Sequence, residues 1–183
     1  MTNTDELQQD LGYVATVMRR SEPVRSVPVI YFLWATICLI GFALPDFSPR
    51  YAAGFWAVAG PLGGIASFIL GWRSGVKAGE LDRALGQRYA WHWSLAGLAL
   101  FLVVLPVVGR DVGMVQIAPY FLLVTGLAYG LAGVHLEPPL RWVGLLMMAG
   151  YVALTLFKLP YAWTITGVLV AVGLTYSGWR AAR

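Results

Sequence analysis

Charged residues are scarce in this chain of 183 amino acids: Asp, Glu, Lys and Arg make up 12% of it, and hydrophobic residues make up 58%. A soluble globular domain carries about 25% charged residues. So few charges cannot cover a water-facing surface. The eight tryptophans and nine tyrosines agree, because amphipathic rings collect at membrane–water interfaces. The composition therefore predicts an integral membrane protein with one compact membrane domain.

Residues that commonly perform catalysis or bind metal ions are also rare. The chain has one cysteine, Cys38, and two histidines, which excludes an intramolecular disulfide and a thiol-rich metal site. It contains no phosphate-binding loop, zinc-protease motif, nucleophile elbow or Cys-x-x-Cys pair. The sequence thus favours a non-enzymatic protein and identifies neither a substrate nor a cofactor.

Six apolar runs without Asp, Glu, Lys or Arg follow residue 26. They cover about residues 27–44, 51–71, 91–108, 114–134, 142–157 and 159–178. A helix of about 20 residues crosses the ~30 Å hydrocarbon core of a bilayer, so each run predicts one span. Lys158 and Pro160 interrupt the last two runs, which predicts a tight hairpin there. The expected fold class is all-α, a polytopic bundle of six transmembrane helices in residues 27–183.

Basic residues sort to one side of this six-span arrangement. One side holds ten of them: Arg19, Arg20, Arg25, Arg73, Lys77, Arg83, Arg88, Arg141, Arg180 and Arg183. The other side holds three: Arg50, Arg110 and Lys158. Cytoplasmic loops are enriched in Lys and Arg, so both termini are expected in the cytoplasm. The net charge of +4 has the same origin and does not indicate nucleic-acid binding. The preference for arginine over lysine indicates a GC-rich bacterial genome, and hence an inner (cytoplasmic) membrane.

Residues 1–26 form a separate cytoplasmic segment in this interpretation. Asn3 and Glu6 have the spacing of a helix-capping box. The apolar residues that follow lie on one helical face: Leu7, Leu11, Val14 and Met18. A short amphipathic helix of this kind predicts a docking surface for a protein partner, or a contact with the membrane surface or the underside of the bundle.

Glycines form stripes in the second and fourth runs. Gly60 and Gly64 have GxxxG spacing, and Gly126 and Gly130 repeat that spacing in the fourth run. Small residues at this spacing let two helix backbones approach closely. The stripes therefore predict helix packing within the chain, or a homodimer interface.

The second run is expected to need support from its neighbours. It holds five glycines and Pro61 but few strongly apolar side chains, so we predict that it is buried at the centre of the bundle. Proline removes a backbone hydrogen bond and kinks a membrane helix. Pro61, Gln116 and Tyr129 are the candidates for the lining of a cavity.

Two histidines are expected to lie at one depth. His92 begins the third run and His135 ends the fourth, and Glu137 follows two residues later. Imidazole and carboxylate groups bind divalent metals, and two imidazoles bind haem iron. The three residues are therefore candidate metal ligands. Their spacing matches no metal motif, and interfacial polar residues are the simpler interpretation.

Three functional classes fit the sequence. The first is a non-enzymatic interaction or regulatory subunit that docks a partner through its cytoplasmic face. The second is a small dimeric transporter or channel built around the glycine-rich second and fourth helices. The third is a haem-binding or metal-binding redox protein that uses His92 and His135. The first is favoured because it needs no charged site inside the membrane, and the predicted spans contain no charged residue.

Overall fold

The computed structural model describes residue 12 and residues 26–78, 83–109, 112–157 and 159–183. The predicted docking residues lie outside the described residues: Leu7, Leu11, Val14 and Met18. Seven helices make up the described part of the bundle: α1 (Pro28–Phe47), α2 (Pro49–Ala78), α3 (Arg83–Leu102), α4 (Leu105–Val108), α5 (Met114–His135), α6 (Leu140–Leu156) and α7 (Ala162–Ala181). No strand occurs in the described ranges, so the all-α class is confirmed.

Four stretches are helical, long and apolar enough to cross a membrane: Pro28–Phe47, Pro49–Val76, Ala84–Val108 and Met114–His135. These four agree with the first four predicted spans, although several ends differ. The fifth predicted span is α6, an apolar helix of only 17 residues. The sixth is α7, whose 20 residues include Thr164, Thr166 and Thr175, which lower its hydropathy. Length and composition thus support four spans, and the fifth and sixth stay a prediction.

Prolines explain several helix boundaries. Pro28 begins α1. N–H groups in the first turn of a helix have no acceptor within the helix, so proline, which lacks an N–H, loses no hydrogen bond there. Pro106 explains why α3 ends at Leu102 and a short helix, α4, follows. Its ring would clash with the carbonyl group four residues earlier, on Leu102, and it donates no hydrogen bond. The chain also turns between α6 and α7, as the interruption at residues 158–160 predicted.

The core is formed by α1, α5, α6 and α7. Its α1 residues recur at helical spacing: Tyr31, Ala35, Cys38 and Phe42. They meet Leu122 and Tyr129 of α5, Met147 of α6, and Leu174 of α7 in one buried cluster. Antiparallel α1 and α7 pack along much of their length, as do α5 and α6. The centre of the bundle is therefore apolar and closely packed.

Helix α2 lies outside this core, so the prediction that it is buried at the centre is wrong. It packs against one side of α1, where Gly63 lies against Trp34 and Ile37. The Trp34 indole N–H also donates a 2.9 Å hydrogen bond to the Ser67 hydroxyl. Its most apolar stretch is nearly as hydropathic as that of α5, so its glycines did not require a central position. Helix α3 is similarly peripheral and packs against α5.

Glycines set the closest helix contacts, as the small-residue spacing predicted for α5. A methyl group added at Gly126 would lie 3.0 Å from the Gly144 carbonyl oxygen. One added at Gly144 would meet the backbone of Gly130. A methyl group at Gly167 of α7 would lie 2.8 Å from Phe42 Cβ in α1. The close approach of α5 to α6, and of α1 to α7, therefore depends on glycines that carry no side chain.

Candidate functional site at the Glu137 end of the bundle

The polar side chains of greatest interest gather at one end of the bundle. The antiparallel arrangement places the start of α1, the start of α3 and the end of α5 together. We call this region, which holds Tyr31, Tyr89, His92, His135 and Glu137, the Glu137 end. In the predicted orientation it is the cytoplasmic end.

Glu137 connects three separate parts of the chain through its carboxylate. The Tyr89 hydroxyl of α3 donates a 2.8 Å hydrogen bond to Oε1. The Tyr31 hydroxyl of α1 donates to Oε2 of the same carboxylate. Glu137 itself follows α5 and precedes α6. Because hydrogen bonds to a charged group are stronger than those between neutral groups, this carboxylate helps to fix how the three segments meet.

His92 and His135 do lie side by side, as antiparallel packing predicted. Their ring centroids are 5.8 Å apart with the rings edge to face. His92 Nε2 is also 3.0 Å from the carbonyl oxygen of Ala128, which indicates that this nitrogen carries a proton and donates. Trp93 next to His92 stacks edge-on against Tyr129, with centroids 5.2 Å apart. The histidines thus join α3 to α5.

The metal prediction joined Glu137 to these two histidines. Among the described residues, no three His, Cys, Asp or Glu side chains are grouped so that they could hold a metal ion. The Glu137 oxygens accept hydrogen bonds from two tyrosines, and one His92 nitrogen is engaged with the backbone. A metal site at His92, His135 and Glu137 stays a prediction that would require these groups to rearrange.

An open pocket of about 510 Å³ lies beside the histidines, between the start of α3 and the end of α5. Its polar lining comes from Gln87, Arg88, His92 and His135, and Trp91 forms part of its wall. A volume of this size lies within the range of small-molecule sites. No Asp or Glu is among the described residues that line it. The pocket therefore offers hydrogen-bond donors and one permanent positive charge.

The three candidate cavity residues lie in separate places. Pro61 is exposed on the peripheral helix α2. Gln116 is exposed at the start of α5, where its Oε1 accepts a 2.6 Å hydrogen bond from the Gly113 N–H. Tyr129 is buried in the core, 6% exposed. Thirteen residues of helix, or about 20 Å at 1.5 Å per residue, separate Gln116 from Tyr129. The structure brings no two of the three together.

The four glycines predicted to pack or dimerise divide into two pairs. Gly126 and Gly130 contact α6 within the chain. Nothing lies within 4 Å of a methyl group placed at Gly60 or Gly64. The first pair therefore serves intramolecular packing, and the second pair has an open face. No family model, curated protein or solved structure matches the chain.

The sequence did not single out Tyr31 or Tyr89 as functional residues. Each lies near a predicted helix end, where tyrosine is common for interfacial reasons alone. One signal was present. Glu137 is an acidic residue in a short connector that is expected on the arginine-rich side, and such a group needs donors from neighbouring helix ends. Nothing in the residue spacing shows which tyrosines supply them.

Proposed function

We propose that this protein is a non-enzymatic interaction or regulatory subunit of a bacterial inner membrane, with six spans and both termini in the cytoplasm. Its cytoplasmic face, made of the Glu137 end together with residues 1–26, docks a protein partner. The observation that carries this proposal is the location of the polar groups. Two tyrosines, two histidines and Glu137 meet at one end of the bundle, beyond an apolar core.

Contacts at both ends of the bundle support the six-span arrangement. At the Glu137 end, Tyr31 of α1 meets the connector between α5 and α6. At the opposite end, the Asp46 carboxylate near the end of α1 accepts hydrogen bonds from the backbone N–H and the hydroxyl of Thr164 at the start of α7, at 2.7 and 2.6 Å. Helices α6 and α7 therefore run alongside the candidate spans rather than lying across their ends.

The docking proposal is tested by asking whether a second polypeptide is bound to the protein in its native membrane. We expect native mass spectrometry of the gently extracted protein to show a defined second polypeptide. On the predicted N-terminal helix, Leu7→Asp and Leu11→Asp place a charge on the apolar face and should release that polypeptide. Gln9→Asp places the same charge on the opposite face and serves as the matched control. A bound small molecule with no second polypeptide would contradict docking.

A homodimer joined through α2 is a second candidate, and a dimer is part of the transporter hypothesis. It is supported by the open face at Gly60 and Gly64, where small residues would let a second α2 approach. Gly60→Leu or Gly64→Leu should then convert a dimer to a monomer without unfolding the chain. Substrate flux in proteoliposomes that falls with the same changes would favour a transporter. Flux that is absent from the intact protein would favour the subunit.

The redox hypothesis has one supporting contact, the edge-to-face pair of His92 and His135. A haem protein would be coloured when purified, and a metal protein would contain a stoichiometric ion. In either case, His92→Ala combined with His135→Ala should abolish the signal. A colourless and metal-free preparation from native membranes would contradict this hypothesis.

A further inference from the structure

The pocket between the start of α3 and the end of α5 combines donors of a kind that recognise phosphate groups. Arg88 contributes a guanidinium, which matches phosphate oxygens with two parallel N–H donors. Gln87 adds a neutral amide one residue earlier. His92 and His135 supply imidazole nitrogens from the two facing helices. These four side chains form a positive and donor-rich lining on a chain whose core is apolar.

The position of the pocket along the candidate spans indicates which class of ligand it binds. The apolar stretch of α3 begins at Ala84, and that of α5 ends at His135. Gln87, Arg88 and Trp91 thus belong to the first turns of one candidate span, and His135 is the last residue of another. Side chains at span ends lie at the level of lipid headgroups, and tryptophan is enriched there. Trp91 is 70% exposed, as an interfacial ring is expected to be.

We propose that this pocket binds the phosphate group of an anionic phospholipid from the cytoplasmic leaflet. Arg88 holds the phosphate oxygens, Gln87 and His135 donate to the remaining headgroup oxygens, and the acyl chains follow the outer faces of α3 and α5. Basic pockets between membrane helices on the cytoplasmic side are suited to such headgroups. This inference takes the cytoplasmic side from the orientation proposed above, but it goes beyond the proposed function because it requires no protein partner.

Native mass spectrometry of the full chain in detergent, titrated with single lipids, tests the proposal. Both phosphatidylglycerol and phosphatidylcholine carry a phosphate, but the choline cation of the second cancels that charge and would lie near Arg88. We therefore expect phosphatidylglycerol to bind about tenfold more tightly. Arg88→Gln should remove this preference. Arg50→Gln is the matched control, because Arg50 lies over the Tyr51 ring near the opposite end of the bundle, and it should keep the preference.

Two further measurements complete the test. One shows whether the phosphate belongs to a lipid or is a soluble ion, and the other shows whether each variant is folded. Millimolar inorganic phosphate should not displace phosphatidylglycerol. If it does so in an Arg88-dependent way, the site takes a soluble phosphate and the lipid assignment is overturned. Arg88→Lys keeps the charge but loses the paired donors, so it should retain only part of the preference. Thermal unfolding of each variant shows whether it is folded. Equal binding of both lipids to the unaltered protein, or a preference that a folded Arg88→Gln protein retains, would overturn the proposal.

Discussion

The Tyr89 hydroxyl lies 2.8 Å from Glu137 Oε1 and donates to it across 48 positions of sequence. Tyr31 donates to the other oxygen of this carboxylate from a different helix. One acidic side chain therefore holds the starts of α1 and α3 against the connector that links α5 to α6. Because α3 is peripheral and packs mainly on α5, this contact is one of few that tie it to the rest of the bundle.

Loss of the Glu137 carboxylate should destabilise the bundle. We expect Glu137→Ala to lower the free energy of unfolding by about 2–3 kcal/mol, because two partly buried phenols lose a charged acceptor. Glu137→Gln keeps one oxygen acceptor and should lose less. Tyr89→Phe removes only one donor, and about 1–2 kcal/mol is expected. Unfolding followed by circular dichroism in detergent measures all three. An Ala variant as stable as the unaltered protein would show that the carboxylate does not hold the helices together.

The two kinds of glycine predict opposite responses to the same substitution. A methyl group at Gly144 meets the backbones of Gly126 and Gly130, and backbone cannot move aside as a flexible side chain can. We expect Gly144→Ala to separate α5 from α6 and to cost about 1–3 kcal/mol of stability. Gly60→Ala is the matched control, since its methyl group has nothing within 4 Å. Unfolding of both variants in the same detergent provides the comparison, and equal effects would contradict the observed packing.

These glycines also show how far the sequence could predict the fold. GxxxG spacing correctly indicated that Gly126 and Gly130 pack against a neighbouring helix. The same spacing at Gly60 and Gly64 says nothing about which face of α2 meets the protein, and the contact is made by Gly63 instead. Gly144 has no partner at GxxxG spacing among its neighbours, although it makes one of the closest contacts. Spacing along one helix cannot identify the residue that a second helix presents.

The arrangement of the side chains at the Glu137 end could also be predicted only in part. His92 and His135 were expected at one depth because they occupy the start and the end of antiparallel neighbours, and their rings do meet. Glu137 was assigned to the histidines because carboxylates and imidazoles share metal chemistry. It is engaged by tyrosines instead. The connector brings the Glu137 carboxylate to the tyrosines of α1 and α3, and the direction of a turn is not encoded in the spacing of the residues that flank it.

Asp46 caps α7 through Thr164, which lies 118 residues later in the sequence. Its Oδ2 accepts hydrogen bonds from the N–H and the hydroxyl of Thr164 in the first turn of α7. A carboxylate at this position satisfies a backbone donor that α7 leaves unpaired and also interacts favourably with the helix dipole. The end of α1 and the start of α7 are thereby fixed together.

Removal of that cap should weaken the pairing of α1 and α7. We expect Asp46→Ala to cost about 1–2 kcal/mol. Asp46→Asn keeps an oxygen acceptor and should cost less. Thr164→Val removes the hydroxyl donor but leaves the N–H bond, so its effect should also be smaller than that of Asp46→Ala. Chemical or thermal unfolding in detergent ranks the three variants. A larger loss for Thr164→Val than for Asp46→Ala would indicate that packing at Thr164, and not the cap, stabilises this end.

The number of membrane crossings can be measured because the chain has a single native cysteine, Cys38, which is buried in α1. In a Cys38→Ala background, one new cysteine at a time reports the side of the membrane on which a residue lies. Gln87, Leu159 and Ala182 are exposed and suit this purpose. A maleimide that cannot cross the membrane labels only cysteines on the side to which it is added.

In a six-span protein we expect the reagent to label Leu159→Cys from outside intact cells and to label Gln87→Cys and Ala182→Cys only in inside-out vesicles. The physical reason is that Leu159 lies between α6 and α7, at the end opposite Glu137. Short α6 can reach across if the side chain of Arg141, in its first turn, extends to the headgroups. If Leu159→Cys and Ala182→Cys were both labelled from the same side as Gln87→Cys, α6 and α7 would not cross the membrane, and the four longer helices alone would span it.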